Sequence, residues 1–215
     1  MDFLEPWQWI RLFWGLVGFY SETNMDFVSS RQCINALWIL FGLYWLISAL
    51  KVKKTKQRET WSQRLRYALP LLIAFVVLYR PEAHYGWLGA RFVPDAPAVE
   101  WLGVALVAAG VGVAIWARWH LGSNWSGVVT LKEGHELIRT GPYRSIRHPI
   151  YTGILLAVLG SAIALAEVRG LLAAGIAWLC FYIKARREES FLTQEFGPSF
   201  AEHQRGTGMF LPRLP

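Results

Sequence analysis

The sequence predicts an all-α integral membrane protein with about five transmembrane helices, the last two joined as a tight C-terminal hairpin. Three observations predict it. Charged residues make up 17% of the 215-residue chain and hydrophobic residues 54%, whereas a soluble domain is about a quarter charged. Apolar runs of bilayer-helix length recur with modest polar connections between them. Lysine and arginine gather in every second connection, the pattern that orients a chain across a bilayer. No room is left for a separate soluble catalytic domain, so any active site has to be built from helix ends and loops.

Each element follows in order. Residues 6–20 are rich in Trp and Phe but hold Arg11 and are short for a span. They read as an interfacial or partly inserted helix, with an extra span as the alternative. Asp2 and Glu5 precede them where a cleaved leader would carry basic residues, and no small-residue cleavage site follows. The expected spans are 34–50, 66–79 (with Pro70 near its start), 99–117, 149–166 and 170–183. The second and fifth are short for about 30 Å of hydrocarbon, so their helices are expected to continue into the interface. Twelve tryptophans suit the two membrane–water boundaries.

Charge sets the orientation. Segment 51–66 holds Lys51, Lys53, Lys54, Lys56, Arg58, Arg64 and Arg66 against Glu59 alone. Segment 118–148 holds Arg118, Lys132, Arg139, Arg144 and Arg147, and the tail holds Lys184, Arg186, Arg187, Arg205 and Arg213. With five spans all three lie on one side, which the positive-inside rule makes cytosolic, the N-terminus being outside. A bacterial inner membrane and an endoplasmic reticulum would give the same bias. The net charge of +7 therefore reads as bilayer orientation, and nucleic acid is not an expected partner. Residues 1–120 form an N-terminal part with three spans; residues 121–215 form a loop, hairpin and tail, within one structural unit.

Only Glu167, Val168 and Arg169 separate the last two spans, so these must form a tight antiparallel hairpin. Gly153, Ala157, Gly160 and Ala164, three and four residues apart, would let its helices approach closely in lipid. Ala108, Gly110 and Gly112 could do the same for the third helix. Cys33 and Cys180 fall at opposite ends of the membrane and read as packed thiols. His120, His135, His148 and His203 lack ligand spacing, so no metal is expected.

The chemistry-bearing region is 121–151 with the tail 187–212. The loop is polar, punctuated by glycine, and feeds into the fourth span at Pro149. Proline at a first helical turn leaves the helix N-terminus open and its dipole positive. Arg144, Arg147 and His148 gather there, a receptor for a carboxylate or phosphate; basic residues also flank membrane helices for orientation alone. Because the hairpin is tight, Glu188 and Glu189 at the exit of the fifth helix should face this cluster. Two carboxylates suit a ribose diol or an ammonium group, although a helix end with solvated Arg/Glu pairs would look the same. An anion receptor beside a diol receptor is what an amino-acid-bearing nucleoside requires.

The run from Leu137 to Gly153, containing Gly141-Pro142-Tyr143-Arg144 and Arg147-His148-Pro149-Ile150-Tyr151, resembles the isoprenylcysteine carboxyl methyltransferase family. So do the hairpin, Glu188-Glu189, Phe196-Gly197 and the lead-in Leu121 to Ser126. The resemblance covers about the C-terminal half and implies a membrane methyltransferase that binds S-adenosyl-L-methionine at its cytosolic face. It implies that His148 holds the methionyl carboxylate, helped by Gly141, Tyr143 and the helix end at Pro149. Tyr151 would pack on the cofactor, Glu188 and Glu189 would bind or brace it, and Arg147 would orient the substrate or the loop. Trp125 and Tyr151 are the aromatic faces that could attract a sulfonium. The tail departs from that pattern. Phe200 and His203 stand where the family usually has tyrosines, and Gly206 stands at the substrate-holding arginine, leaving adjacent Arg205 as the candidate for that role. An isolated histidine such as His203 reads as structural or solvated.

The implied acceptor is lipophilic, a prenylated cysteine or similar carboxylate, whose tail would enter sideways from the bilayer. Its carboxyl pKa near about 3.5 leaves it ionised at neutral pH, so no general base is expected. Alignment and removal of water would carry catalysis. N-methylation of a phospholipid amine or other small lipophile is the alternative acceptor chemistry. A nicotinamide-dependent membrane reductase is a further alternative, though no glycine-rich dinucleotide fingerprint is present. A non-enzymatic scaffold would bind no cofactor.

Overall fold

The computed structural model describes residues 29–50, 55–58, 60–79, 86–125, 130–132 and 136–213. Every one of the five expected spans is a helix: α1 (Ser30–Ala49), α2 (Trp61–Tyr79), α3 (Pro97–Leu121), α4 (Pro149–Leu165) and α5 (Val168–Phe196), followed by a short α6 (Pro198–Gly206). The expected helix at 6–20 lies outside the described residues. Local chemistry sets the boundaries. Ser29 and Gln32 form a capping box at the start of α1, and Thr60 with Gln63 exchanges the same pair of bonds ahead of α2. Proline occupies the first turn of α3, α4 and α6, where its missing N–H costs nothing. Helix α2 begins at Trp61, earlier than hydropathy alone suggests, and α5 runs on from the apolar stretch to Phe196.

Among the described residues, Pro97–Asn124 and Val168–Phe196 are long and apolar enough to cross a membrane, and Pro149–Leu165 is apolar but shorter. The outer faces are unlike those of a soluble protein. Leu40, Leu43, Leu46 and Ile47 on α1, and Leu65, Leu69, Leu72 and Ile73 on α2, are all exposed. A soluble monomer rarely exposes contiguous apolar patches beyond a few hundred Å²; lipid is the solvent these faces suit.

A small ribbon accompanies the helices. The chain is not purely helical: β1 (Thr55–Arg58) pairs antiparallel with β2 (Thr130–Lys132), Gln57 opposite Leu131 and Arg58 opposite Thr130. The ribbon ties two of the basic connections together at one end of the bundle. The tail joins them there, because Arg147 N–H donates to Gly208 O at 2.9 Å and Gly208 N–H to Ser145 O at 3.1 Å. The remaining connections meet at the opposite end, where Phe92 N–H donates to Ala166 O and Val168 N–H to Ala90 O, both at 3.0 Å. Successive helices therefore alternate in direction.

Buried arginines close the helix ends. Arg118 donates to Ser48 O at the end of α1 (2.5 Å) and to Gly122 O (2.8 Å). Arg169 donates to Val77 O (3.0 Å) and Leu78 O (3.3 Å) at the end of α2. Each guanidinium satisfies carbonyls that a helix C-terminus leaves open and sits at the negative end of its dipole.

One correction concerns the small residues. The hairpin turn consists of Ala166, at φ 59°, and Glu167; Val168 and Arg169 are already helical. Yet the Gly153-Ala157-Gly160-Ala164 stripe faces α3, not α5. A Cβ on Gly110 would stand 2.5 Å from Ala157 N and Gly153 O, and one on Gly153 would stand 2.5 Å from Ala114 N and Gly110 O. Gly103 and Gly160 repeat the arrangement farther along the same seam. Helix α5 packs against the other side of α4 and against α2. Ala108 and Gly112 are exposed and take no part.

The seam makes a contrast testable by thermal unfolding in detergent. Gly110→Ala forces α3 and α4 apart and is expected to destabilise by about 1–3 kcal/mol. Gly112→Ala meets nothing within 4 Å and should be neutral or slightly stabilising, as alanine's helix propensity dictates. Equal melting temperatures for the two variants would contradict this packing.

Candidate functional site

The end of the bundle that carries the ribbon holds the polar cluster. A 3₁₀ turn, Gly141–Arg144, leads into it. Gly141 has φ +56°, and a Cβ there would stand 2.7 Å from the His120 ring, so only glycine both makes the turn and admits that imidazole. His120 is held by Thr140 Oγ1 at 2.8 Å. The turn buries Tyr143, whose hydroxyl donates to Ala117 O on α3 at 3.4 Å.

His148, next in line, is buried just ahead of α4. Its Nδ1 lies 3.4 Å from Glu188 Oε2 and its Nε2 lies 3.3 Å from Glu189 Oε1. Arg147 Nε donates to the same Glu189 oxygen at 2.7 Å, and Arg147 Nη1 donates to Thr207 O and to Gln204 O. Glu189 also accepts from Gln204 Nε2 at 3.3 Å. The Tyr151 hydroxyl donates to Glu188. The Tyr151 ring lies parallel to that of His148 at 5.4 Å, and Lys184 Nζ stands 5.1 Å from the Tyr151 centroid. Met209 O accepts the His148 N–H at 3.1 Å and Phe210 O accepts from Thr152 Oγ1 at 2.7 Å. The loop, the hairpin and the tail are thus knotted around one pair of carboxylates.

Burial alone would lower the His148 pKa. Hydrogen bonds and charge from Glu188 and Glu189 outweigh it and hold the pKa above the ordinary histidine value. Arg147 and Arg186 pair with Glu189, and Lys184 stands over Tyr151 beside Glu188, so both carboxylates are met by cations besides the imidazole.

Beside the cluster is a cavity of about 330 Å³, within the size range of small-ligand sites. Its polar wall includes Asn124, Glu136, Arg147, His148, Lys184, Glu188 and His203; its aromatic wall includes Trp45, Trp125, Tyr143 and Tyr151; Phe41, Leu71 and Ile154 supply apolar surface. Helices α1 and α2, which meet at the edge-on pair Trp38 and Phe75, 5.7 Å between centroids, contribute Phe41, Trp45 and Leu71.

The sequence-selected residues separate into three groups. Tyr143, Arg147, His148, Tyr151 and Glu188 line the cavity, as does Trp125. Glu189, Pro149 and Gly141 stand behind it: Glu189 braces Arg147 and His148, Pro149 is fully buried, and Gly141 makes the turn. Arg205 is exposed on α6 and does not line the cavity, and its carbonyl accepts from Arg213. The helix end at Pro149 is overlaid by the tail, and both His148 nitrogens already face glutamates. Arg147, expected to orient substrate or loop, spends its guanidinium on Glu189 and on tail carbonyls. His135 lies outside the described residues.

Sequence reasoning left Lys184 and Asn124 out of the site. His203, read from the sequence as structural or solvated, is buried and lines the cavity. Its signal was its place three residues after Phe200, on the same face of α6 as that fully buried ring.

Residues 99–199 match the phospholipid methyltransferase family. A cobalt-zinc-cadmium resistance protein of Cupriavidus metallidurans is 33% identical over 67% of this chain and 62% of its own length. The protein-S-isoprenylcysteine O-methyltransferase of Schizosaccharomyces pombe is 30% identical over 44% of this chain and 41% of its own length. Its counterpart in Dictyostelium discoideum is 25% identical over 69% of this chain and 62% of its own length. The chain thus spans less than two thirds of the length of these relatives.

The cluster predicts a pH dependence. A raised folded-state pKa means that His148 contributes stability fully below its unfolded value of about 6.5, and that this is lost as pH rises through the folded value. The melting temperature in detergent is therefore expected to fall between about pH 6.5 and the raised value, and the fall should vanish in His148→Gln. An identical slope in both proteins would contradict the assigned charge state.

Proposed function

From the chain's place in an isoprenylcysteine methyltransferase-like family, we propose that it transfers a methyl group from S-adenosyl-L-methionine to a lipophilic acceptor. The reading extends to a multi-pass arrangement of five membrane-crossing helices with the polar end cytosolic. The observation that carries it is one cavity with a charged, aromatic end and an apolar flank built by two helices, α1 and α2, whose outer faces expose leucine and isoleucine.

The residues present fit such a cofactor. Lys184 is the cation on the wall for its carboxylate, and Glu188, held by Tyr151, is an acceptor for its ammonium group or ribose diol. Trp125, Tyr143 and Tyr151 offer aromatic faces to a sulfonium. When bound, the cofactor supplies an electrophilic methyl group on positively charged sulfur. His148 and Arg147 on the wall, braced by Glu189 behind it, fix the angle between loop and hairpin, so that Tyr151 and Glu188 are held ready. The apolar flank from Phe41, Trp45 and Leu71 would take the acceptor's tail from the bilayer and keep water from the nucleophile.

The names of the relatives point to a prenylated cysteine carboxylate as acceptor, and the family match points to a phospholipid. What favours a lipophile in either case is the same flank. A nicotinamide-dependent reductase has no specific support in the cavity, which carries no glycine-rich turn among its described lining residues.

Calorimetric titration of the purified protein in detergent tests the reading. S-adenosyl-L-methionine and its demethylated product are expected to bind and NADPH to fail. Glu188→Gln, which removes a charge from the wall, should weaken cofactor binding by about tenfold or more. Binding of NADPH without binding of the methyl donor would overturn the proposal.

A further inference from the structure

His203 stands apart from the other described histidines. His120 is bonded to Thr140 and His148 lies between two glutamates. The His203 ring lines the cavity, and neither of its nitrogens is hydrogen-bonded to another described residue. Its backbone is well fixed. The Thr207 hydroxyl donates to the His203 carbonyl at 2.6 Å, and the Phe200 ring packs beside it at 6.5 Å. The cavity also contains a single arginine among its described lining residues, and that arginine is engaged by Glu189 and the tail.

Resting on the methyltransferase reading above, we propose that His203 is a catalytic residue that accepts the proton of the acceptor's nucleophile. The acceptor is then a lipophilic molecule bearing an O–H or S–H group, a phenol, enol or thiol, and not a carboxylate. A carboxylate is ionised at neutral pH and asks for a cation to hold it, without any base. A thiol or phenol, with a pKa near about 8.5 or 10, keeps its proton at neutral pH and asks for the reverse.

The charges around His203 suit a base. Burial lowers its pKa, and the neighbouring Arg139 and Arg147 lower it further, so the imidazole is neutral at pH 7. Arg139 is itself tied to Glu202 at 3.3 Å and to Ser199 O. From the loop, Glu136 and His148 share the cavity wall with His203; from α5, Lys184 and Glu188 do so. In the transfer, the acceptor's oxygen or sulfur pair forms the bond to the methyl carbon while its proton moves to a His203 ring nitrogen. The carbon–sulfur bond of the donor breaks, its electron pair staying on the sulfur, which becomes a neutral thioether. Beside two arginines the imidazolium readily loses the proton to solvent.

The test uses the full chain in detergent with labelled S-adenosyl-L-methionine and three probes: 4-dodecylphenol, dodecanethiol and N-acetyl-S-farnesylcysteine. Transfer to the phenol or thiol is expected, with His203→Gln and His203→Phe slowing it about 100-fold or more while donor affinity is unchanged. The wild-type kcat/KM should rise with pH through a pKa below about 6.5, a limb absent from both variants. A second readout does not depend on turnover. Ring-labelled histidine NMR should show a His203 signal, identified by its loss in His203→Gln, that is neutral at pH 7 and shifts when dodecylphenol is added. Methylation of the farnesylcysteine carboxylate alone, at a rate indifferent to His203, would overturn the proposal, as would a His203 ring that is protonated at pH 7. Failure of the wild-type protein to bind the methyl donor would instead overturn the methyltransferase reading, and the NMR titration would still decide the state of His203.

Discussion

The architecture of the polar end depends on one constraint: two adjacent carboxylates, Glu188 and Glu189, are drawn into a poorly solvated junction and have to be matched there by cations. Buried carboxylates are tolerated only when paired and hydrogen-bonded. Arg147 and His148 supply the pairing from the loop, and Tyr151 adds a hydroxyl from α4. The same guanidinium also gathers the Thr207 and Gln204 carbonyls. Three chain segments that are distant in sequence therefore converge because none could satisfy its polar groups alone.

That convergence requires α4 and α5 to arrive with a fixed spacing. The turn at Ala166 and Glu167 returns the chain, but the seam of Gly103, Gly110, Gly153 and Gly160 sets how deeply α4 sinks against α3. In lipid there is little hydrophobic gain from bringing helices together, so backbone approach at glycines carries the packing. Arg118 and Arg169 secure the two ends of the bundle by capping α1 and α2. The cavity lies where this rigid half meets α1 and α2, whose outward faces remain apolar.

The helices were legible because hydropathy reports burial in lipid or protein over whole turns, and the alternation of basic connections reports which ends lie together. The facing of Arg147-His148 and Glu188-Glu189 was legible for a similar reason: a two-residue turn leaves two helices nowhere else to go. Which face the small residues use was not legible, since a stripe of glycine and alanine states that some helix approaches without saying which. The ribbon between Thr55–Arg58 and Thr130–Lys132 escaped because its strands are short and polar. The placement of His203 escaped because α6 is a nine-residue helix, too short for periodicity to reveal its inner face. Arg205 stands exposed on α6, away from the cavity wall, because adjacency to Gly206 does not give its side chain the same direction on a helix.

Family similarity covers the hairpin, and the chain's own residues decide what sits in the cavity opposite it. Arg147 and Glu189 act as one unit that holds loop, hairpin and tail together. A double-mutant cycle with Arg147→Met and Glu189→Met, read as unfolding free energy in detergent, tests it most directly. Each single change is predicted to cost about 3–5 kcal/mol, because it strands a buried charge, and the double variant should be no less stable than either single, a coupling of about 3 kcal/mol or more. Additive losses would contradict the account.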